Sequence, residues 1–242
     1  MGISDVLRTV KGEAKGDLGT AVDKFLAKWN APQGVEKGFH PSSICGGYCR
    51  RGLVLSRLYA PTDIDPPDSS LLRIFTMGHA VHNQWESLYE KMEIVVGREV
   101  AFEDNDTGIT GRADLVIRRE GKLDLIDIKS TGTKRFFGLR DADNVSKVQV
   151  GIYWWEFNKL NTFGRAIDRA FIEYVEKQFG YQKDFQVHWK DVEAKVLVIV
   201  KDMTYLDGLV KKGIVPEEKD CKNMEMAVKN KCPWRSRCFG VI

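Results

Sequence analysis

The sequence predicts an α/β (α+β) domain with a mixed central β-sheet flanked by helices. Three observations predict it. Three β-rich segments, Ile94–Phe102, Ile109–Arg118 and Leu123–Ser130, follow one another with turn-type residues between them. Long helical patterns lie on either side of this block, over Leu71–Met92 and Asn144–Leu160. Two further strand-like segments, Arg169–Val175 and Phe185–His188, then lead into a helical stretch over Lys190–Val210. Helices and strands in this order must share one layered core. The 242 residues suffice for one sizeable domain.

The elements follow in order. Residues 1–40 read as a peripheral segment, with weak helical periodicity over Lys11–Lys28 broken at Asn30-Ala31-Pro32-Gln33-Gly34. Pro41-Ser42-Ser43 is a helix start, with Ser42 or Ser43 as N-cap, and that helix runs through Leu53 and Leu55 to end before Pro61. Asp63–Ser70 is a connector. Ser69 or Ser70 then caps the long helix, whose inward candidates are Leu72, Phe75, Met77, His79, Val81, His82, Trp85 and Leu88. Asp104-Asn105-Asp106-Thr107-Gly108 and Glu120-Gly121-Lys122 turn the strands into a three-strand meander. In the helix over Asn144–Leu160, Val145, Val148, Ile152 and Trp155 form one stripe. From Pro216 the chain is polar and cysteine-containing. There is no internal repeat and no low-complexity tract.

Bulk properties exclude several classes. The net charge of +3 permits nucleic acid as a partner without arguing for it. No apolar run approaches a membrane span. Met1-Gly2-Ile3-Ser4-Asp5-Val6 lacks a signal-peptide layout, and Val6 stands where a lipidation site needs Ser or Thr, so a cytoplasmic protein is expected. Five cysteines, an odd number, argue against a disulfide framework. They lie at the two ends: Cys45 and Cys49, then Cys221, Cys232 and Cys238.

The chemistry centres on Leu123-Asp124-Leu125-Ile126-Asp127-Ile128-Lys129. Side chains alternate along a strand, so Asp127 and Lys129 share a face. An acid and an ammonium in an apolar strand are costly to bury. Alone, the pair also fits a solvated strand face carrying an ion pair. Upstream, Gly111-Arg112-Ala113-Asp114-Leu115-Val116-Ile117 places Asp114 in a second apolar strand, and the intervening turn makes the two strands neighbours. Asp114 and Asp127 are hard oxygen ligands suited to Mg²⁺ or Mn²⁺, and the Ile128 carbonyl lies between Asp127 and Lys129 as a third oxygen. Lys129 would orient a water, help deprotonate it, or stabilise charge on a phosphate.

Two helical pairs frame these strands. His79 and His82, in Gly78-His79-Ala80-Val81-His82, are three residues apart on one face; Gln149 and Tyr153 are four apart on another. Each pair alone is also explained by ordinary packing. Taken together, Gly78-x-x-x-His82, Gly111-x-x-Asp114, Asp127-x-Lys129 and Gln149-x-x-x-Tyr153 resemble, in kind and order, the PD-(D/E)xK nuclease superfamily. The resemblance is nearest the RecB-like branch, which includes the RecB nuclease domain and CRISPR-associated exonucleases, and it covers Ser42–Tyr153 plus the cysteine tail. It implies a restriction-endonuclease-like core over 42–160, within a single domain of residues 1–242 with a tail over 216–242. It implies that His82, Asp114, Asp127 and the Ile128 carbonyl bind the metal, and that Lys129 activates the attacking water. Gln149 and Tyr153 would support the site and contact DNA. His79 falls off the motif. Glu99 either points into the site or is an exposed strand carboxylate.

The cysteines extend the resemblance. Iron–sulfur enzymes of this branch carry one cysteine before the core and three after it, so Cys49, Cys221, Cys232 and Cys238 would hold a [4Fe–4S] cluster, or alternatively a structural Zn²⁺, joining the chain ends. Pro41-Ser42-Ser43, Cys49-Arg50-Arg51 and the final Cys232-x₅-Cys238 fit the pattern. Lys229 stands where the family has a further cysteine, so Cys221 must reach in by a longer loop. Cys45 is the spare, and Cys45 and Cys49 are interchangeable on spacing.

Phosphate contacts are expected from Arg50, Arg51, Lys134, Arg135, Arg140 and Lys147. Lys134-Arg135-Phe136-Phe137 follows the Asp127–Lys129 strand, and basic residues beside aromatics suit single strands. A solvated loop over a buried Phe pair is the other reading. The resemblance implies a metal-dependent DNA exonuclease acting on single-stranded or end-containing DNA, possible in phage replication or recombination or in CRISPR adaptation, with protein partners from those systems. A structure-specific endonuclease and a non-catalytic, zinc-stapled DNA-binding scaffold are the alternatives.

Overall fold

Five strands form one mixed sheet in the order β1-β2-β3-β4-β5. They are β1 Val95–Asp104, β2 Ile109–Arg119, β3 Lys122–Thr131, β4 Arg169–Glu176 and β5 Gln182–Val187. The computed structural model describes residues 18–29, 34–64 and 69–240. The helices are α1 Leu18–Trp29, α2 Pro41–Ile44, α3 Arg50–Leu58, α4 Ser69–Lys91, α5 Thr133–Gly138, α6 Asn144–Lys159, α7 Trp189–Lys211, α8 Met224–Lys229 and α9 Arg235–Cys238. Among the described residues, no helix is long and apolar enough to cross a membrane.

The meander forms as its turns dictate. β2 and β3 pair antiparallel with Arg119 opposite Lys122, leaving Glu120 and Gly121 as a two-residue loop with φ of 55° and 74°. Two positive φ values make this the turn whose twist matches paired strands. β3 then pairs parallel with β4, and α5 and α6 make the crossover that a parallel pair requires. β5 returns antiparallel on β4.

Alternation along β3 sends side chains to two cores. Leu123 and Leu125 pack with Val148, Ile152 and Phe157 of α6 and Val192, Val196 and Met203 of α7. Ile126 and Ile128 face the other way, against Val81 and Trp85 of α4, beside Leu115 and Ile117. Burying an apolar side chain of this size contributes about 1.5–3 kcal/mol. With apolar layers on both faces, the sheet is fixed as a rigid plate between α4 and the α6–α7 pair.

Several expectations are corrected. The single helix predicted from Pro41 to Tyr59 is two: Gly46-Gly47 interrupts it, Gly47 has φ +101°, and Cys49 caps α3 by accepting the Gly52 amide at 3.2 Å. On α4, Phe75, Met77, His79 and Leu88 are exposed, because only Leu72, Val81, Trp85 and Glu86 reach the core. Val145 likewise leaves the α6 stripe for solvent. Residues 133–138 are helical rather than a loop, with Phe136 buried and Phe137 exposed. The polar tail contains α8 and α9. The expected breaks at 30–33 and 65–68 and most of the N-terminal segment lie outside the described residues.

Candidate active site

At the end of the sheet where α4 and α6 converge lies a cleft of about 540 Å³. His82, Asp114, Asp127, Lys129, Gln149 and Tyr153 all line it, together with Glu99 and His79. Residues brought from four elements by four separate local patterns therefore meet in one place.

The strands set the acids. β2 and β3 pair through Leu115↔Ile126 and then part. Beyond that point the Ile128 amide donates to Asp114 Oδ2 at 2.7 Å. The amide and carbonyl of one strand residue point to the same edge, so the Ile128 carbonyl also faces the Asp114 side. His82 Nδ1 approaches Asp114 Oδ2 at 3.5 Å from α4. Lys129 Nζ donates to Asp127 Oδ1 at 3.3 Å and to Gln149 Oε1 at 3.2 Å, and Gln149 Nε2 donates to the Tyr153 hydroxyl at 3.0 Å. Nζ also lies 2.9 Å from Asp127 Oδ2 but off the hydrogen-bond direction, so this buried oxygen keeps a free lone pair while feeling the charge.

Burial and charge compete here. Burial raises the Asp127 pKa, and Asp114 adds to the rise while Lys129 opposes it; the net result is about 6. Burial would pull Lys129 down, but Asp127 and Asp114 outweigh it and the pKa rises, so Lys129 is an ammonium. His82 behaves alike: burial lowers it, the Asp114 contact raises it more, and the net shift is upward. The Tyr153 hydroxyl is raised by burial first and by Asp127 second, so it is a neutral donor or acceptor.

Glu86, which none of the four motifs names, joins this group as a further candidate. His82, Glu86 and Asp114 each present a ligand atom within 4.8 Å of the others, the one such group of His, Cys or acidic side chains among the described residues. Glu86 is fully buried; Oε2 accepts from Arg98 Nε at 2.7 Å and Oε1 has no donor. The signal was present: His82-x-x-x-Glu86 is a same-face pair on α4. Glu99 lines the cleft with φ +49°, a conformation non-glycine residues seldom adopt, and it pairs with Arg112.

A sequence profile of the PD-(D/E)XK nuclease superfamily matches residues 5–239. This chain belongs to the PD-(D/E)XK nuclease superfamily. No curated protein matches it. Among solved structures, the protein SSO0001 is similar at 17% identity and TM-score 0.49, over 92% of this chain and 96% of that one. A protein from Eubacterium rectale described as a "putative exonuclease" is similar at 17% identity and TM-score 0.38, over 54% of this chain and 52% of its own. In this PD-(D/E)XK nuclease the mixed sheet and its flanking helices supply the fold that the membership requires.

The cysteines divide. Cys49, Cys221 and Cys232 line a second cleft of about 520 Å³, and Cys221 and Cys238 both act electrostatically on Cys232. Burial and a contact with Asp220 push the Cys49 thiol up to about 11. Cys45 lies apart from them. It is buried in the main core, where it feels Lys129 and Asp127. Of the two, Cys49 is the one that lines the cleft shared with Cys221 and Cys232. Hydrogen bonds tie the tail to the segment after α3: the Thr62 and Asp63 amides donate to the Pro233 carbonyl at 3.0 Å, and the Ser236 amide to Asp63 Oδ2 at 2.9 Å.

Of the expected phosphate contacts, Arg50 is held by Asp202 at 2.7 Å, Arg51 donates to the Pro216 carbonyl, and Lys147 pairs with Asp141 at 2.6 Å. Lys134, Arg135 and Arg140 are exposed, Arg135 with a 3.3 Å contact to Asp143.

Proposed function

We propose that this nuclease is a metal-dependent deoxyribonuclease that hydrolyses phosphodiester bonds from DNA ends. The observation that carries this reading is the convergence of His82, Asp114, Asp127 and Lys129 on one open cleft. The donor set fits a hard divalent cation: two carboxylates, an imidazole and a carbonyl edge, with the buried Asp127 Oδ2 and Glu86 Oε1 lacking hydrogen bonds. Mg²⁺ or Mn²⁺ held by His82, Asp114, Asp127 and the Ile128 carbonyl would offset charge on the scissile phosphate and acidify a water. Lys129, kept as an ammonium by Asp127, would orient an attacking water and offset charge developing on the phosphate. Gln149 holds Lys129 in place, and Tyr153 holds Gln149. A cation would take His82 as the neutral imidazole, in competition with the proton that the Asp114 contact favours.

The second part of the reading is a structural centre on Cys49, Cys221, Cys232 and Cys238, binding an iron–sulfur cluster or Zn²⁺. Its support is the cleft at the junction of α3 with the tail, which Cys49, Cys221 and Cys232 line, with Cys238 acting electrostatically on Cys232. Protein purified anaerobically would show iron or zinc in stoichiometric amount, lost in Cys49→Ser and retained in Cys45→Ser.

The decisive assay uses end-labelled single and double strands and a closed circle, with Mg²⁺ or Mn²⁺. Wild-type protein cuts the end-containing DNA, leaves the circle intact and releases labelled nucleotides. Asp127→Ala and Lys129→Ala retain the fold by circular dichroism and do not cut. Metal-dependent cleavage retained in both variants would falsify the site, and cleavage of the circle would replace an exonuclease with an endonuclease.

A further inference from the structure

Beside the cleft stands a cluster of exposed aromatic rings that the site chemistry does not use. Phe137, at the end of α5, is 61% exposed; Phe179 and Tyr181, in the turn between β4 and β5, are 62% and 53% exposed. Single exposed aromatics are ordinary, whereas several in contact mark a binding surface. Here Tyr181 lies 5.9 Å from both Phe137 and Phe179, ring centre to ring centre. Beneath them the buried Phe136 touches Phe137 at 5.5 Å and stacks on Tyr181 at 6.4 Å.

The cluster is held from below. Glu176, buried, accepts from the Thr133 hydroxyl at 2.6 Å and from the Gln178 and Phe179 amides at 2.9 and 2.6 Å. One carboxylate therefore ties the start of α5 to the β4–β5 turn. Lys183 lies 4.8 Å over the Phe136 ring and donates to the Phe136 and Leu139 carbonyls. Gly180 turns the chain at φ +73° against Trp85, where a Cβ would come within 3.1 Å of the indole.

The platform is continuous with the active site. Lys177 lines the catalytic cleft, and its amide donates to the Thr131 carbonyl, two residues beyond Lys129. Phe179 follows two residues later, so its Cα lies within about 7.6 Å of that of Lys177. Lys134 and Arg135 are exposed on α5 beside Phe136 and Phe137. Cations beside a set of open ring faces match a strand with charged phosphates and uncovered bases. A duplex covers its internal base faces by stacking and leaves only the outer face of each terminal pair open.

We propose that Phe137, Phe179 and Tyr181 form a stacking platform for unpaired bases, which makes single-stranded DNA leading into the cleft the substrate class. The proposal rests on the nuclease reading above. Lys134, Arg135 and Lys177 take the phosphates while the rings take the bases.

The test is binding of labelled oligo-dT and of a blunt hairpin duplex by fluorescence anisotropy, in EDTA so that nothing is cut. Phe179→Ala/Tyr181→Ala is expected to bind the single strand at least about fivefold more weakly, the low end for one lost stack, with duplex affinity unchanged. Phe179→Tyr/Tyr181→Trp is expected to restore it. Equal single-strand affinity in the alanine variant overturns the platform, as does an equal loss on both DNAs. Absence of single-strand binding by the wild type overturns it whatever the cleavage result. Cleavage is read separately with Mn²⁺: wild type that binds but never cuts sinks the nuclease reading and leaves the platform standing. An alanine variant that cuts and binds like wild type does the reverse.

Discussion

The Ile128 amide donates to Asp114 Oδ2 at 2.7 Å, at the point where β2 and β3 cease to pair. The carboxylate replaces the next rung of the ladder. That single bond fixes Asp114, leaves its other oxygen for the cleft, and turns the Ile128 carbonyl toward the same edge. On the proposed reading, ending the strand pair early would bring two acids and a carbonyl within reach of one cation.

Lys129→Met should separate charge from scaffold. Nζ bonds both Asp127 and Gln149, and the replacement keeps the stem but no donor. Cleavage is expected to fall about 10²- to 10³-fold, the size of a lost preorganised charge contact. Single-turnover rates with Mn²⁺ check this, with titration calorimetry showing that Mn²⁺ still binds.

Glu156 predicts a pH dependence of stability. It is fully buried, neither oxygen receives a hydrogen bond, and Asp104 lies beside it. Burial first and Asp104 second raise its pKa from 4.5 to about 8. The folded state thus holds a proton that the unfolded state loses, so stability falls as pH rises from about 4.5 to 8 and the full cost persists above. Glu156→Gln should stabilise the protein on the order of 2 kcal/mol at pH 9 and little at pH 5. Urea midpoints at the two pH values decide it; an equal shift at both would sink the assignment.

Asp124 should matter for stability and not for cleavage. Fully buried, it accepts from Arg119 Nε at 3.0 Å and from Arg169 Nε and Nη2 at 2.6 and 2.8 Å. It tethers the start of β3 to β4, at the end of the sheet away from the cleft. Asp124→Ala is expected to cost about 1–3 kcal/mol, as hydrogen bonds to charged groups do. Denaturant unfolding measures the loss, and cleavage at low temperature should be unchanged.

Gly151 should not tolerate a methyl group. A Cβ there would come within 2.9 Å of Val192 Cγ2 and Val196 Cγ2, where α6 crosses α7. Gly151→Ala is expected to destabilise by about 1–3 kcal/mol through overpacking. Because Gly151 lies between Gln149 and Tyr153, the same shift should lower the cleavage rate. Thermal unfolding and rate, measured together, check both.

The sequence by itself determined the three-strand meander, the long helices on either side of it and the residues of the four motifs, while the break at Gly46-Gly47 and the short helices over 133–138 and in the tail went unread. Period-2 patterns and the Glu120-Gly121 turn specified the meander, because side-chain alternation and positive-φ loops are local properties. Gly78–His82, Gly111–Asp114, Asp127–Lys129 and Gln149–Tyr153 were legible for the same reason: each lies within one turn of helix or a few residues of strand. Tertiary structure decided what no local spacing encodes. It exposed Phe75, Met77 and Val145, since which side of a helix meets the sheet depends on how the helix is seated. It separated Cys45 from Cys49, four residues apart yet on either side of the break at Gly46-Gly47. It set Glu86 beside Asp114, and it placed Phe137 against Tyr181 across the β4–β5 turn. These are contacts between distant segments, and only closing the sheet between α4 and the α6–α7 pair brings them within reach.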